Sequence, residues 1–308
     1  MFYRIAATLS LIATTSHAEV PQVVTDIAPI HSLVTRVMQG VGEPELILPP
    51  GISPHSYAMR PSEARDLQDA DLVIWMGEDL TPWLEDAIES LAGDAETLEL
   101  LHLEGTHLLD SREEAVFGDH HDDEDDDHGH NHGHDHGHDT HDPHAWLDPK
   151  NAQFWLGKMA EKLSEIDPNN AELYTVNAAA ATSEIDDLTE VLRKDLADLT
   201  EARFIVFHDA YQYFENAFGL KAVGALQVSD ATAPSAARLA DIQAEIAEHG
   251  ITCVFAEPQF NPGLIAAVAV DGVKSGELDP LGANLAPGPS LYLALLQQLV
   301  QSASDCLK

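Results

Sequence analysis

Short runs of β-branched and leucine residues alternate along the chain with longer stretches whose apolar positions recur every three or four residues. PQVVTD is followed by Ile30, Leu33, Val34 and Val37, which predicts a strand and then an amphipathic helix. ELIL (Glu45–Leu48) predicts a second strand, stopped at Pro49-Pro50-Gly51. RPSEARDLQDA predicts a helix capped by Ser62, and DLVIW a strand ending at Gly77. Trp83 to Leu91 has helical spacing, and ETLELL predicts a fourth strand.

The pattern then disappears. From Glu104 to His141 apolar residues thin out, and histidine, aspartate and glycine take over. Such a composition cannot bury enough surface to offset its ordering entropy, so a disordered loop is expected over residues 104–141. Order resumes at Asp142. Asp167-Pro168 predicts a cap and a first helical position, and Ile185, Leu188, Leu192, Leu196 and Leu199 line one stripe of the helix that follows. About 30 helical residues would extend roughly 45 Å, enough to run the length of two lobes. After it the alternation restarts with RFIVFH, a helix around Tyr211–Phe218, KAVGAL, a helix over Ala236–His249, TCVFAE and a helix around Leu264–Val270. A closing helix is expected from Ser290 to Val300. Strand–helix alternation of this kind predicts an α/β fold with parallel sheets. The length exceeds what one core comfortably serves. The expected division is an N-terminal lobe at 19–165, a linking helix at 166–200 and a C-terminal lobe at 201–308.

The first residues change the picture of where the protein works. Arg4 precedes an alanine-rich apolar run from Ile5 to Ala13, and Ser16-His17-Ala18 offers small residues at a cleavage site. Residues 1–18 are therefore expected to be a secretory signal peptide, and the mature protein to be exported. No later run reaches the roughly 18 uncharged apolar residues of a membrane helix. The formal charge of −38 argues against nucleic acid as a partner and favours local enrichment of cations. Two cysteines, Cys253 and Cys306, invite one disulfide in an oxidising compartment. Two separately buried thiols are the alternative, and a metal site using both lacks any CxxC spacing.

Ten of the 17 histidines lie between His120 and His144. Nine of these form a tract suited to weak capture of several metal ions: His120, His121, His128, His130, His132, His134, His136, His138 and His141. A charge spacer is the alternative reading of that tract. Three other histidines stand apart. His55 follows a strand stop, His208 ends the strand FIVFH, and His144 in DPHAWLDPKN comes immediately beyond the loop. Loops outside the carboxyl ends of parallel strands form the ligand crevice of open α/β lobes. Three imidazoles suit zinc and leave one position for a carboxylate or water. Spacing gives these three no local zinc signature, so the residues only suggest them. His31, His102, His107 and His249 read as ordinary hydrogen-bonding histidines, and Trp146 as a packed wall.

A resemblance goes further. The segments LPPGISPHSYAMRPSEARDLQDADLVIWMGEDL, DPHAWLDPKNA, FIVFHDAYQYFENAFGL, CVFAEPQF and LDPLGANL together resemble the periplasmic solute-binding proteins of ABC transporters for zinc and manganese, in particular the high-affinity zinc uptake type. The resemblance covers nearly the whole chain after the leader. It implies two (β/α)4 lobes joined by one long rigid helix, with the metal between them. His55, His144 and His208 are the implied ligands, and a disulfide between Cys253 and Cys306 is implied as well. Manganese-binding relatives commonly have glutamate at the third position, and His208 is a softer ligand that favours zinc. Some zinc relatives carry a glutamate directly before the first histidine, and here Pro54 stands there. Asp279 in LDPLG is the expected substitute, with water or Glu257 as alternatives. The implied protein is a periplasmic Zn2+ receptor without enzymatic activity, a monomer serving a membrane permease and its cytoplasmic ATPase. A manganese receptor or adhesin of the same fold is the runner-up. A zinc hydrolase would need a general base, and no HExxH pair occurs.

Overall fold

Two four-stranded parallel sheets organise the chain, in a computed structural model that describes residues 20–112, 117, 141–227, 236–259 and 272–308. The first contains β1 (Val23–Thr25), β2 (Glu45–Leu46), β3 (Leu72–Trp75) and β4 (Glu96–Glu99), in the order β2-β1-β3-β4. The second contains β5 (Phe204–His208), β6 (Ala222–Gln227), β7 (Cys253–Ala256) and β8 (Lys274–Glu277), in the order β6-β5-β7-β8. LVIW and FIVFH are buried at every position, as strands covered by helices on both faces must be.

The helices are α1 (Ala28–Val37), α2 (Pro61–Gln68), α3 (Pro82–Leu91), α4 (Pro149–Ile166), α5 (Ala171–Leu196), α6 (Gln212–Phe218), α7 (Ala236–Glu248) and α8 (Leu291–Leu307). The long helix is α5. It buries Tyr174, Ala178, Ala181, Ile185, Thr189, Leu192 and Leu196 along one stripe and packs on α4, α1 and α8. One core cluster runs through both lobes, from Val34 and Val37 on α1 through Ile185 on α5 to Leu295 and Leu299 on α8. The backbone N–H of Tyr292 on α8 donates to Ser32 Oγ on α1 at 3.0 Å. No described helix is long and apolar enough to cross a membrane.

Several boundaries differ from the sequence reading. Ser62 does not cap α2: Arg60 stands at the cap and Pro61 starts the helix, two residues earlier than a Ser62 cap would, and Glu63 reaches back to accept the N–H of Arg60 at 2.6 Å. The turn after Asp167 is a 3-10 turn over Pro168–Asn170, and α5 begins at Ala171. Asp167 there accepts from Tyr174 Oη at 2.9 Å. The closing helix continues past Val300 to Leu307. Helix α4 and the edge strand β8 were not anticipated. Residues 104–112, assigned to the loop from their composition, are placed here, and Leu109 and Arg112 bond to the C-terminal lobe. The leader, the histidines from His120 to His138 and the helix expected around Leu264–Val270 lie outside the described residues.

Cys253, at the start of β7, is bridged to Cys306 near the end of α8, with Cα atoms 5.9 Å apart. Gly276 of β8 lies beside the bridge. A Cβ there would come within 2.7 Å of the Phe255 ring and 3.2 Å of Cys306 Cβ, so the close packing of strand against helix excludes a side chain.

Candidate metal centre

Strand geometry brings the site together. His208 is the last residue of β5, and β5 pairs with β7 in a register that matches Phe204 with Cys253 and Ile205 with Val254. Continued along both strands, the same offset sets His208 opposite Glu257. Their side chains meet, Nδ1 to Oε1, at 2.5 Å. Glu257 Oε2 takes a bond from Gln259 Nε2 at 2.8 Å, so each carboxylate oxygen has a hydrogen-bond partner.

His144 precedes a 3-10 turn over Ala145–Leu147. Its Nδ1 lies 2.7 Å from Asp142 Oδ1, which also accepts its backbone N–H at 3.0 Å. With both carboxyls ionised, each can only accept, and the Nδ1 atoms of His144 and His208 then carry the proton. That leaves both Nε2 lone pairs facing inward, 3.3 Å apart. Two lone pairs at this distance repel unless a cation lies between them. Two nitrogens each about 2.0–2.1 Å from one tetrahedral zinc ion are about 3.3 Å apart, the spacing found here.

His55 supplies the third ring. Ring centroids are 5.4 Å from His55 to His144, 6.2 Å from His55 to His208 and 5.1 Å from His144 to His208. Among the described residues, His55, His144 and His208 form the one group of metal-capable side chains, with ligand atoms within 4.8 Å of one another. The loop that carries His55 is held from the side: Trp83 Nε1 donates to the Pro54 carbonyl at 2.6 Å, and Tyr57 packs edge-on against Trp83. Pro54 thus holds its loop to α3 through its backbone oxygen.

Burial acts most clearly on the His144 ring. It is the main cause holding His144 well below its ordinary pKa, and the proximity of His208 adds to it, so the ring is neutral and able to coordinate at neutral pH. Burial pushes the Asp142 carboxyl up to about 6, against the stabilising His144 N–H and Arg112 charge. Burial likewise raises Glu257, opposed by its bonds to His208.

Asp279 follows β8 and is buried. Its Oδ1 accepts the N–H groups of Leu281 (3.2 Å) and Gly282 (2.9 Å), while Oδ2 is buried without a hydrogen-bond partner. Trp146 is the expected wall: fully buried, 5.3 Å from the His144 ring, with Nε1 donating to the Pro280 carbonyl at 2.7 Å. That bond ties the His144 turn of one lobe to the Asp279 turn of the other. Tyr292 Oη adds a bond to the Trp146 carbonyl at 2.8 Å.

The other histidines have local roles. His31 Nε2 meets the Pro44 carbonyl at 3.0 Å, His107 meets Asp148 at 2.9 Å, His102 meets Glu99 at 3.0 Å, and His249 meets Glu245 at 2.7 Å. His141 is the one tract histidine described. It pairs with Asp110 in an isolated antiparallel bridge at the base of the loop. Asp142 is signalled only as a carboxylate two residues before His144 in DPH, and nothing in the sequence points to a role for Arg112.

The family described as ZnuA, zinc-uptake complex component A, periplasmic, matches residues 23–306. This chain belongs to that family. A ZnuA high-affinity zinc uptake system protein of Paracoccus denitrificans is 47% identical, over 98% of this chain and 97% of its own length. The ZnuA protein of Brucella abortus is 42% identical, over 92% of this chain and 91% of its own. Among solved structures, a mutant of the laminin-binding adhesin of Streptococcus agalactiae superposes with a TM-score of 0.76 at 26% identity, covering 94% of this chain and all of that one.

Proposed function

We propose that this protein is a periplasmic zinc receptor. It captures Zn2+ between its lobes and delivers it to a membrane permease powered by a cytoplasmic ATPase, and it performs no reaction of its own. His55, His144 and His208 hold the ion. Asp279 Oδ2 completes the shell: a buried carboxylate oxygen without a partner is costly, and a cation relieves that cost. The observation that carries the reading is the pair of inward-facing Nε2 atoms, 3.3 Å apart, each ring fixed from behind by its own carboxylate. Neutral nitrogen donors favour zinc over manganese. The histidine tract supplies further, weaker sites.

Zinc titration against a competing chelator tests this. Alanine at His55, His144 or His208 should weaken the tight site by about a hundredfold or more, since each removes one of few ligands. Deleting residues 119–140 should lower the number of ions bound and leave one tight site. An unchanged tight site in two of the three alanine variants would refute the assignment.

A further inference from the structure

Arg112 is the last cation before a run that contains no lysine or arginine until Lys150. Its chain segment comes from the N-terminal lobe, yet its guanidinium is spent on the C-terminal one. Nε lies 2.9 Å from Asp209 Oδ2, and Nη2 also meets Asp209 Oδ1. Nη1 and Nη2 bond to the two oxygens of Glu215 at 3.1 and 2.9 Å. Glu215 Oε2 in turn accepts the N–H of Ala222 at 3.0 Å. The Phe117 ring lies over the guanidinium at 3.7 Å, and the Phe117 N–H donates to the Val223 carbonyl at 2.7 Å.

These charges are nearly out of water: the side chains are 19% exposed for Arg112, 6% for Asp209 and 5% for Glu215. Ions this buried are costly unless nearly every bond is made, which the planar fork of arginine allows and a lysine does not. The position of the cluster gives it a consequence. Asp209 is the peptide neighbour of His208. A second link runs beside it: Tyr213 Oη accepts the Leu109 N–H and donates to the Asp142 carbonyl, both at 2.9 Å, and Asp142 orients His144.

We propose that Arg112 is a positioning residue of the three-histidine site, fixing the exit of β5, and with it His208, against the segment that carries His144. This rests on the zinc reading above. Arg112 has no lone pair for a metal, so its effect passes through Asp209 and appears as the relative placement of two imidazoles.

The test uses the full-length protein in three variants: Arg112→Met, Arg112→Lys and, as a reference without the tight site, His208→Ala. Zinc affinity is measured by chelator competition. The ligand-field spectrum is taken with one equivalent of Co2+, as a difference from His208→Ala. Arg112→Met should bind zinc about tenfold or more weaker and shift the Co2+ bands, as loss of an orienting partner does, with Arg112→Lys in between. Affinity within about twofold of wild type and unshifted bands would overturn the inference, even if the thermal midpoint falls, because a merely structural role moves only the midpoint. If Arg112→Met does not fold, Asp209→Asn is read by the same two measurements with the same criteria. A wild-type chain with no tight site that His208→Ala removes would overturn the zinc reading itself, and this inference with it.

Discussion

The imidazole of His208 and the carboxylate of Glu257 meet at 2.5 Å because β5 and β7 pair in a register that sets them side by side. The carboxylate fixes the ring's tautomer and makes Nε2 a better donor. Glu257→Ala should weaken zinc binding by about 10–100-fold, the usual cost of losing such a partner. Glu257→Gln should recover part of that, since its amide oxygen can still accept from Nδ1. Chelator competition on folded variants checks both.

Asp279 has two separable tasks, one for each oxygen. Asp279→Asn keeps an oxygen for the N–H groups of Leu281 and Gly282 and removes the charge. If Oδ2 serves the ion, this variant and Asp279→Ala should both bind zinc more weakly, by less than any histidine variant. A three-histidine site with water as fourth ligand would remain. Normal affinity in Asp279→Asn would leave Asp279 as a turn cap alone.

The pH dependence follows from His144, held well below 6.5 mainly by burial. Below that value the unfolded chain takes up a proton that the folded chain refuses. This contribution to stability is therefore intact above pH about 6.5 and is lost as pH falls toward the depressed folded value. The metal-free wild type should lose more thermal stability between about pH 7.5 and 5.5 than His144→Gln does. Zinc affinity should fall in the same direction, because protons compete for the ligand nitrogens.

The bridge between Cys253 and Cys306 closes a sequence separation of 53 residues. Unreduced, denatured protein should contain no alkylatable thiol. Replacing both cysteines with serine should cost up to about 4 kcal/mol by the chain-entropy estimate, readable in a urea titration.

The sheets were legible because their strands are apolar runs bounded by proline, glycine or a charged helix. Seven of the eight described strands carry that signal, and β8 does not, because KSGE is a polar edge strand with no alternation to detect. Helix α4 did carry a signal, in Ala152, Trp155, Leu156, Met159 and Leu163, but it sits close behind the histidine tract and ahead of the longer stripe of α5. At the site, position alone suggested His55, His144 and His208, and the family resemblance named them as ligands. The carboxylates behind them are harder to read. Glu257 is meaningful only once the β5–β7 register is known, and Arg112 only once the chain is seen to cross to the other lobe.

The bond from Trp146 to the Pro280 carbonyl, together with the core shared by α1, α5 and α8, ties the two lobes to each other across the site. A receptor that closes on its ligand can reject a wrong ion by failing to close. Here the Asp142 and Glu257 carboxylates hold two of the proposed ligand rings from behind, so less ring ordering is left to the ion and more of the binding free energy appears as affinity. The same preorganisation leaves less of the discrimination to induced fit. Choice among ions then falls on donor softness and preferred geometry, and copper, which sits above zinc in the general order of affinities, becomes the competitor to watch.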